Sequence, residues 1–283
     1  MSDLTTPSKR IDRPLRDLAA WVAHFRSATI PVLDSTAETV LELAVNEDAV
    51  DAHLLSEAVG ADPLMTLKLL AHVGSNSRRE TDVETVVSAL VLLGIGPFFR
   101  HFGELPTIRQ ALHGTADADE VHAGLQAVLD RSHRASQFAL GFAAHRMDPD
   151  AAVIHEAALL HGFAELLLWC HAPSLALEIA RRQQADPTLR SVVAQQAVLG
   201  ITLADLQQAL MKAWRLPELL IRLDDAKHAH SSQVKNVTLA VRLARHTAQG
   251  WANAALPDDV SEIAALLLLG TEPTLKLLHE IDS

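Results

Sequence analysis

Histidines are the residues of this chain whose type and spacing could support chemistry. The sequence contains 15 histidines and no tyrosine, and His133, His161 and His228 occur in well-separated segments. Neutral imidazole nitrogens bind transition metals, and a metal-bound water can attack a phosphoester. The residue types therefore raise the hypothesis of a metal-dependent phosphohydrolase, although a single histidine on a helix more often serves packing than metal binding.

The surroundings of His161 do not favour a metal ligand. Residues 157–170, AALLHGFAELLLWC, predict one buried helix in which His161 is a polar interruption. Gly162 follows at once, and because glycine is the poorest ordinary helix former, it indicates a point of close packing. On a continuous helix His161 and Glu165 would share a face, but a metal site needs more than two ligands and supporting hydrogen bonds. The pair alone therefore predicts no metal site.

Helical periodicity runs through almost the whole chain. Apolar residues recur three and four positions apart, and no run alternates as a strand would. The pattern predicts an all-α protein with helices over residues 15–25, 36–45, 64–73, 83–93, 123–145, 203–214, 234–248 and 260–269.

Helix-end residues agree with this pattern. Asp62 predicts an N-cap, with Pro63 at the first helical position, where its missing N–H costs nothing. Gly94, Gly200 and Gly270 predict helix ends, because glycine readily takes the backbone conformation that turns the chain there. Each of these interpretations is structural rather than catalytic.

Composition excludes several function classes. The formal net charge is −11 and the pI is near 5.7, so the chain lacks the positive field that gathers nucleic acids. Cys170 is the single cysteine and lies among apolar residues, which predicts a core position and a reducing cytoplasm. No apolar run approaches the roughly 20 residues that cross a bilayer. We expect a cytoplasmic protein with no nucleic-acid or membrane partner.

Four regions, the first of them in two parts, resemble in order the HDOD domain, a divergent relative of the HD-type phosphohydrolases. Residues 30–44 (IPVLDSTAETVLELA) and 61–77 (ADPLMTLKLLAHVGSNS) resemble its opening segment and its "DP.L...LL...NS" signature. Residues 83–100, the LLHG sequence around His161 and residues 198–220 resemble its later segments. The resemblance implies a two-lobed helical domain with an HD-type C-terminal lobe, in a protein of bacterial signal transduction.

The resemblance also predicts a domain organisation. Residues 1–28 are predicted to form an N-terminal extension with one helix, residues 29–115 the N-terminal helical lobe, and residues 116–283 the HD-like lobe with the C-terminal helices. The acidic stretch 114–120, GTADADE, marks the internal boundary. Trp214 and Pro217, within the resembling WRLP run, are predicted to be an apolar anchor and a helix restart.

At the metal-binding positions of HD enzymes, the resemblance implies a dismantled site. His133 and His161 are retained, but the adjacent acid is Gly162 and the next histidine position is Leu203. The final "HH" pair becomes Lys227 and His228, and we expect these positions to form one remnant cleft. Glycine has no side chain, leucine has no donor atom, and lysine brings a positive charge. We expect no metal and no cofactor there.

Other catalytic arrangements are weaker. Cys170 and His171 are adjacent on a helix and point apart, and the carboxylate pairs Asp224–Asp225 and Asp258–Asp259 are predicted to be solvated faces or helix caps. The leading hypothesis is a non-catalytic regulatory module that binds a signalling protein or a small ligand. Two alternatives stay open: a phosphohydrolase of nucleotides or cyclic dinucleotides with an unconventional metal site, and a purely structural oligomerisation protein.

Overall fold

The computed structural model describes residues 10–76, 83–222 and 226–283. Within these ranges the regular structure is helical and contains no strand; a single isolated bridge joins Val32 to Thr107. The predicted all-α class is confirmed. The chain folds as two compact units, one comprising Met1–Val128 and Phe163–Arg215, the other Leu129–Gly162 and Leu216–Ser283. The predicted division after residue 115 stays a prediction.

The first unit contains eleven α-helices of the described chain and the first part of a twelfth, α8. They are α1 (Leu18–Ser27), α2 (Asp34–Ala44), α3 (Ala52–Val59), α4 (Pro63–Asn76), α5 (Val86–Leu93), α6 (Ile95–Phe102), α7 (Ile108–Leu112), α10 (Phe163–His171), α11 (Pro173–Ala185), α12 (Ser191–Leu199) and α13 (Leu203–Trp214), with a short 3₁₀ helix at Glu47–Ala49. The long helix α8 (Ala118–His145) continues from this unit into the second.

Helix α4 lies at the centre of the first unit because it is apolar on nearly all sides. It packs against α5, α10 and α13. Gly74 permits the approach to α13, since a Cβ at this position would lie 2.4 Å from the carbonyl oxygen of Trp214. Trp214 itself is buried and its ring lies 6.1 Å from that of Phe163, so the predicted apolar anchor is a packing residue.

Asp62 caps α4 as the sequence predicts. Its Oδ1 accepts hydrogen bonds from the amides of Leu64 at 2.8 Å and Met65 at 3.1 Å, and Pro63 is the first helical residue. Its Oδ2 accepts a third from the Leu33 amide at 2.8 Å. The carboxylate therefore joins the start of α4 to the segment before α2, and burial raises its pKa against the lowering effect of these bonds.

The second unit is built around α9 (Ala151–Leu160) and α15 (Ser232–His246). Helix α9 packs on α15 and on α14 (Glu218–Arg222), α15 packs on α16 (Leu256–Leu267), and α16 packs on α17 (Thr271–Ile281). A 3₁₀ helix at Ala226–His228 precedes α15. Arg134 of α8 holds the end of α17, because its guanidinium donates to both oxygens of Asp282 at 2.8 Å.

Glycine predicted two helix ends correctly and one incorrectly. Gly94 ends α5 at φ 83° and Gly200 ends α12 at φ 73°, as predicted. The expectation for Gly270 was wrong. Helix α16 ends at Leu267, and Leu268 takes the left-handed conformation at φ 56°, while Gly270 precedes α17 at φ −74°.

Contrary to the expectation from the sequence, one stretch of the described chain, 151–171, is by length and composition apolar enough to cross a membrane. However, 61% of its most apolar window is buried inside the protein. The stretch contains α9 and α10, which are separated by a turn at His161 and Gly162. Burial of this kind is typical of a core helix.

Candidate functional site

The structure divides the predicted remnant residues between the two units. His133, His161, Gly162, Lys227 and His228 belong to the second unit, and Leu203 belongs to the first. His133 lies on α8, His161 and Gly162 form the turn after α9, and Lys227 and His228 lie in the short 3₁₀ helix before α15.

His133 has a histidine neighbour that the sequence did not indicate. His155 of α9 is largely buried, and its pKa is lowered first by burial and then by the charge of His133. Two imidazoles that repel each other when protonated favour the neutral, metal-binding form of at least one of them. The pair supplies nitrogen donors only, so it is an incomplete ligand set for a phosphoester-cleaving metal.

The turn at His161 changes the prediction for its neighbours. The expectation of one helix across residues 157–170 was wrong, because α9 ends at Leu160 and α10 begins at Phe163. His161 is the C-cap of α9, and its amide donates to the Ala158 carbonyl at 3.3 Å. His161 and Glu165 therefore do not share the face of a single helix, and the argument for that pair as ligands is lost.

Leu203 occupies a position that is set by helix capping. It is the first residue of α13, and Thr202 is the N-cap. The Leu203 amide donates a hydrogen bond to Oε1 of Gln195 at 3.0 Å. A hydrocarbon side chain at this position offers no electron pair to a metal. The local structure is satisfied without any ligand.

The donor set as a whole does not fit an HD-type metal centre. Among the described ranges, no group of three or more His, Cys, Asp or Glu side chains is arranged to hold a metal ion. Asp224 and Asp225 lie outside the described residues. Gly162, Leu203 and Lys227 contribute no metal-binding atom at the positions where the resemblance implies donors.

Sequence reasoning missed an ionic cluster between α15 and α16. Asp259 is 2% exposed, its Oδ1 lies 2.7 Å from Nε of Arg242, and its Oδ2 lies 2.6 Å from Nδ1 of His246. Arg242 Nη2 also lies 2.9 Å from Glu262. The expectation that Asp258–Asp259 is a solvated pair or cap was therefore wrong for Asp259, because two basic side chains from another helix compensate its burial.

A groove beside this cluster also escaped the sequence reasoning. It lies between α15 and α16, and cationic side chains of Arg146, Lys235 and Arg242 line it. The sequence did contain an indication of this cationic face, since Lys235 and Arg242 are seven residues apart and therefore share one face of a helix. In a chain with a formal charge of −11, such a cationic stripe is unusual enough to be informative.

Three side chains of the first unit with reactive groups are wholly or partly buried in contacts with other residues. Burial raises the pKa of the Cys170 thiol to about 12, so it stays a protonated core residue. Burial lowers the pKa of Lys68 to about 8, but its ammonium donates to the Ile30 carbonyl at 2.9 Å. His171 is buried against Phe25 and His24, at ring separations of 5.5 and 5.7 Å. These contacts are structural.

Comparison with known protein families decides the assignment. The HDOD domain model matches residues 30–230, which is well over half of the chain. The chain belongs to the HDOD family. The Asp62 cap, Pro63, Gly94, Trp214 and Pro217, the motif positions of the resemblance, all fall within the matched region. No curated protein matches this HDOD chain.

Solved structures show the same fold. The MmoQ response regulator of Methylococcus capsulatus strain Bath is similar at a TM-score of 0.64 and 21% identity, covering 88% of this chain and 98% of that one. A virulence factor of Campylobacter jejuni is similar at a TM-score of 0.67 and 18% identity, covering 93% and 94%. At these identities the likeness is one of fold alone.

Proposed function

We propose that this HDOD protein is a non-catalytic regulatory module of bacterial signal transduction, which acts in the cytoplasm by binding a protein partner or a small ligand. The observation that carries the proposal is the donor set at the HD positions. Leu203 begins α13 with its side chain unable to bind a metal, and Gly162 lies in a turn. Similarity of fold to a response regulator of Methylococcus capsulatus supports the signalling context.

The charge and chemistry at the remnant positions also support a binding role. Hydrolysis of a phosphoester by HD-type chemistry needs carboxylates as well as imidazoles around the metal, so that the cation is held and its water activated. The predicted positions provide imidazoles at His133, His161 and His228, and an ammonium at Lys227. Lys227 would repel a cation, and none of these four positions provides a carboxylate.

Turnover of phosphodiesters tests the non-catalytic part of the proposal. The full chain is incubated with bis-p-nitrophenyl phosphate and with cyclic di-GMP in the presence of manganese, iron or zinc. We expect no rate above background, and no change on His161→Ala or His228→Ala. The exposed His53, which lies far along the chain in α3, provides the control variant His53→Ala. A rate abolished by His161→Ala and kept by His53→Ala would establish the phosphohydrolase instead.

Affinity capture tests the binding part. The full chain is used as bait in the cytoplasm of its native host, and each captured protein is purified and titrated against the bait. We expect a saturable complex with a signalling protein, or a small molecule that co-purifies and raises the melting temperature. A chain that forms only copies of itself, and whose stability no cytoplasmic fraction changes, would support the structural oligomerisation alternative.

A further inference from the structure

A groove of about 700 Å³ lies between α15 and α16. All its lining residues belong to the second unit, and His133, His161 and His228 are not among them. Its size falls in the range of pockets that hold small organic ligands. The groove is therefore a feature separate from the HD-like positions and needs its own explanation.

The charge of the lining is opposite to that of the protein. Three cationic side chains and one carboxylate line the groove, although the formal charge of the chain is −11. Asp259 and Glu262 neutralise Arg242 at 2.7 and 2.9 Å. Lys235 makes no ion pair with any residue in the described part of the chain. Two positive charges, on Lys235 and Arg146, are left to face the groove.

Arg146 is fixed in place while one of its donors is unused. Its Nη1 donates to the carbonyl oxygen of Leu266 at 2.8 Å. Its Nε is buried and has no hydrogen-bond partner among the described residues. A buried N–H without an acceptor is costly, but Nε has no accessible surface. A ligand in the groove would therefore contact the half-buried guanidinium at its accessible atoms rather than at Nε.

The first turn of α15 also lines the groove. Ser231 is its N-cap but makes no side-chain hydrogen bond to the helix, so this turn lacks the bond that a serine N-cap commonly supplies. Ser232 and Val234 of this turn line the groove. A helix N-terminus carries partial positive charge and free amides, which favour an anion.

Apolar side chains line much of the rest of the groove, together with Thr238 and His230. Val234 and Leu239 are buried, and Leu266 lies beside them. At the edge, Leu268 is 91% exposed and adopts a φ of 56°. Glycine is the favourable residue for this left-handed position after a helix, and a leucine there is strained. The chain thus carries a large apolar side chain in an unfavourable conformation beside the groove.

We infer that the groove binds a small organic phosphate monoester with an apolar body. The phosphate, a dianion near neutral pH, contacts Arg146, Lys235 and the first turn of α15, so that two uncompensated cations meet two negative charges. The apolar body lies on Val234 and Leu239 and under Leu268. This inference deepens the ligand-binding part of the proposed function and rests on it.

Calorimetric titration of the full chain with 1-naphthyl phosphate tests the inference. We expect binding of one molecule per chain, weakened by added salt because charged groups are involved. Inorganic phosphate lacks the apolar body and 1-naphthol lacks the charge, so each should bind at least about tenfold more weakly.

Two variants locate the ligand. Lys235→Glu should weaken binding at least about tenfold, whereas Lys276→Glu, a charge reversal on exposed Lys276 of α17, should not weaken it. Leu268→Gly should weaken binding while the melting temperature stays the same or rises, since it relieves the left-handed leucine. A purely structural role for Leu268 would not produce that opposite pair of effects.

Several outcomes would overturn the inference. These are no binding of 1-naphthyl phosphate, equal binding by Lys235→Glu and the unchanged chain, or a Lys235-dependent complex with a glutamate-rich peptide but none with the phosphate. The test also separates the two proposals. Release of 1-naphthol during the titration would contradict the non-catalytic function. Absence of binding without turnover would contradict only the inference that the groove binds a phosphate monoester.

Discussion

Asp62 in the first unit and Asp259 in the second are both buried carboxylates, 1% and 2% exposed, but different groups compensate them. Backbone amides of Leu33, Leu64 and Met65 donate to Asp62. Side chains of Arg242 and His246 face Asp259. The first arrangement fixes backbone geometry, and the second joins α15 to α16 by charge beside a groove. Burial of a carboxylate alone therefore does not distinguish a residue that caps a helix from one that joins two helices beside a groove.

Removal of the Asp62 carboxylate should have the largest effect. Asp62→Ala leaves three amides without their acceptor, two of them buried, and we expect a loss of about 4 kcal/mol in the free energy of unfolding. Urea denaturation measures it. The control is Asp51→Ala, at an exposed N-cap that accepts one bond from Leu54, with an expected loss of about 1 kcal/mol. Equal losses would contradict the special role of Asp62.

His171 is a buried base that has neither backbone nor side-chain groups to compensate its Nε2 among the described residues. Its Nε2 has no hydrogen-bond partner among the described residues, and burial, with a smaller effect of the His24 charge, lowers its pKa to about 4. The unfolded chain, with a histidine pKa near 6.5, then binds the proton more readily. Stability from this group is therefore complete above about pH 6.5 and is lost as the pH falls toward about 4, by up to about 3 kcal/mol.

Unfolding free energies across this pH range check the His171 prediction. We expect His171→Leu to reduce the decline in stability between about pH 6.5 and pH 4. The control His53→Leu changes an exposed histidine of α3 and should keep the decline. An identical pH profile for His171→Leu and the unchanged chain would show that His171 is not the source.

Asp259→Asn tests the charge-compensated carboxylate. It leaves Arg242 and His246 facing a neutral side chain, and because both are partly exposed, we expect a loss of about 2 kcal/mol rather than the full cost of a buried pair. Asp258→Asn, at the exposed neighbour, should change stability by less than about 0.5 kcal/mol. A loss at Asp258 as large as that at Asp259 would indicate a general effect on the first turn of α16.

The smallest expected loss of stability is for Gly162→Asp, which introduces a carboxylate at the position where HD enzymes have an acid. Gly162→Asp places a charge in the half-buried turn after α9, and we expect a loss of more than about 1 kcal/mol. Gly162→Ala separates the effect of volume from that of charge. An unchanged or higher melting temperature for Gly162→Asp would mean that the old ligand position still has space for a side chain.

The sequence predicted features that depend on residues close together in the chain. The Asp62 cap and the end of α12 at Gly200 were predictable, because each depends on backbone atoms within a few residues. The turn at His161 was not predicted, although His161 and Gly162 interrupt the apolar stretch 157–170, because a histidine and a glycine can also lie within a continuous buried helix. The end of α16 was missed because Leu268 replaces the expected glycine.

The candidate sites show the same limit. The positions of Gly162, Leu203 and Lys227 followed from the resemblance, but the neighbour of His133 did not, because His155 comes from another helix. The contact of Asp259 with Arg242 and His246, and the groove beside it, depend on how α15 packs on α16. A sequence supplies the charged residues on each helix, and packing decides which of them meet.

Metal content is the most direct test of the non-catalytic assignment. The full chain is purified without chelator, exposed to manganese, iron or zinc, and subjected to elemental analysis alongside His161→Ala and His228→Ala. We expect no stoichiometric metal in any of the three proteins, since Gly162, Leu203 and Lys227 supply no ligand at the HD positions. About one metal ion per chain, lost on His161→Ala together with a phosphodiesterase activity, would contradict the account.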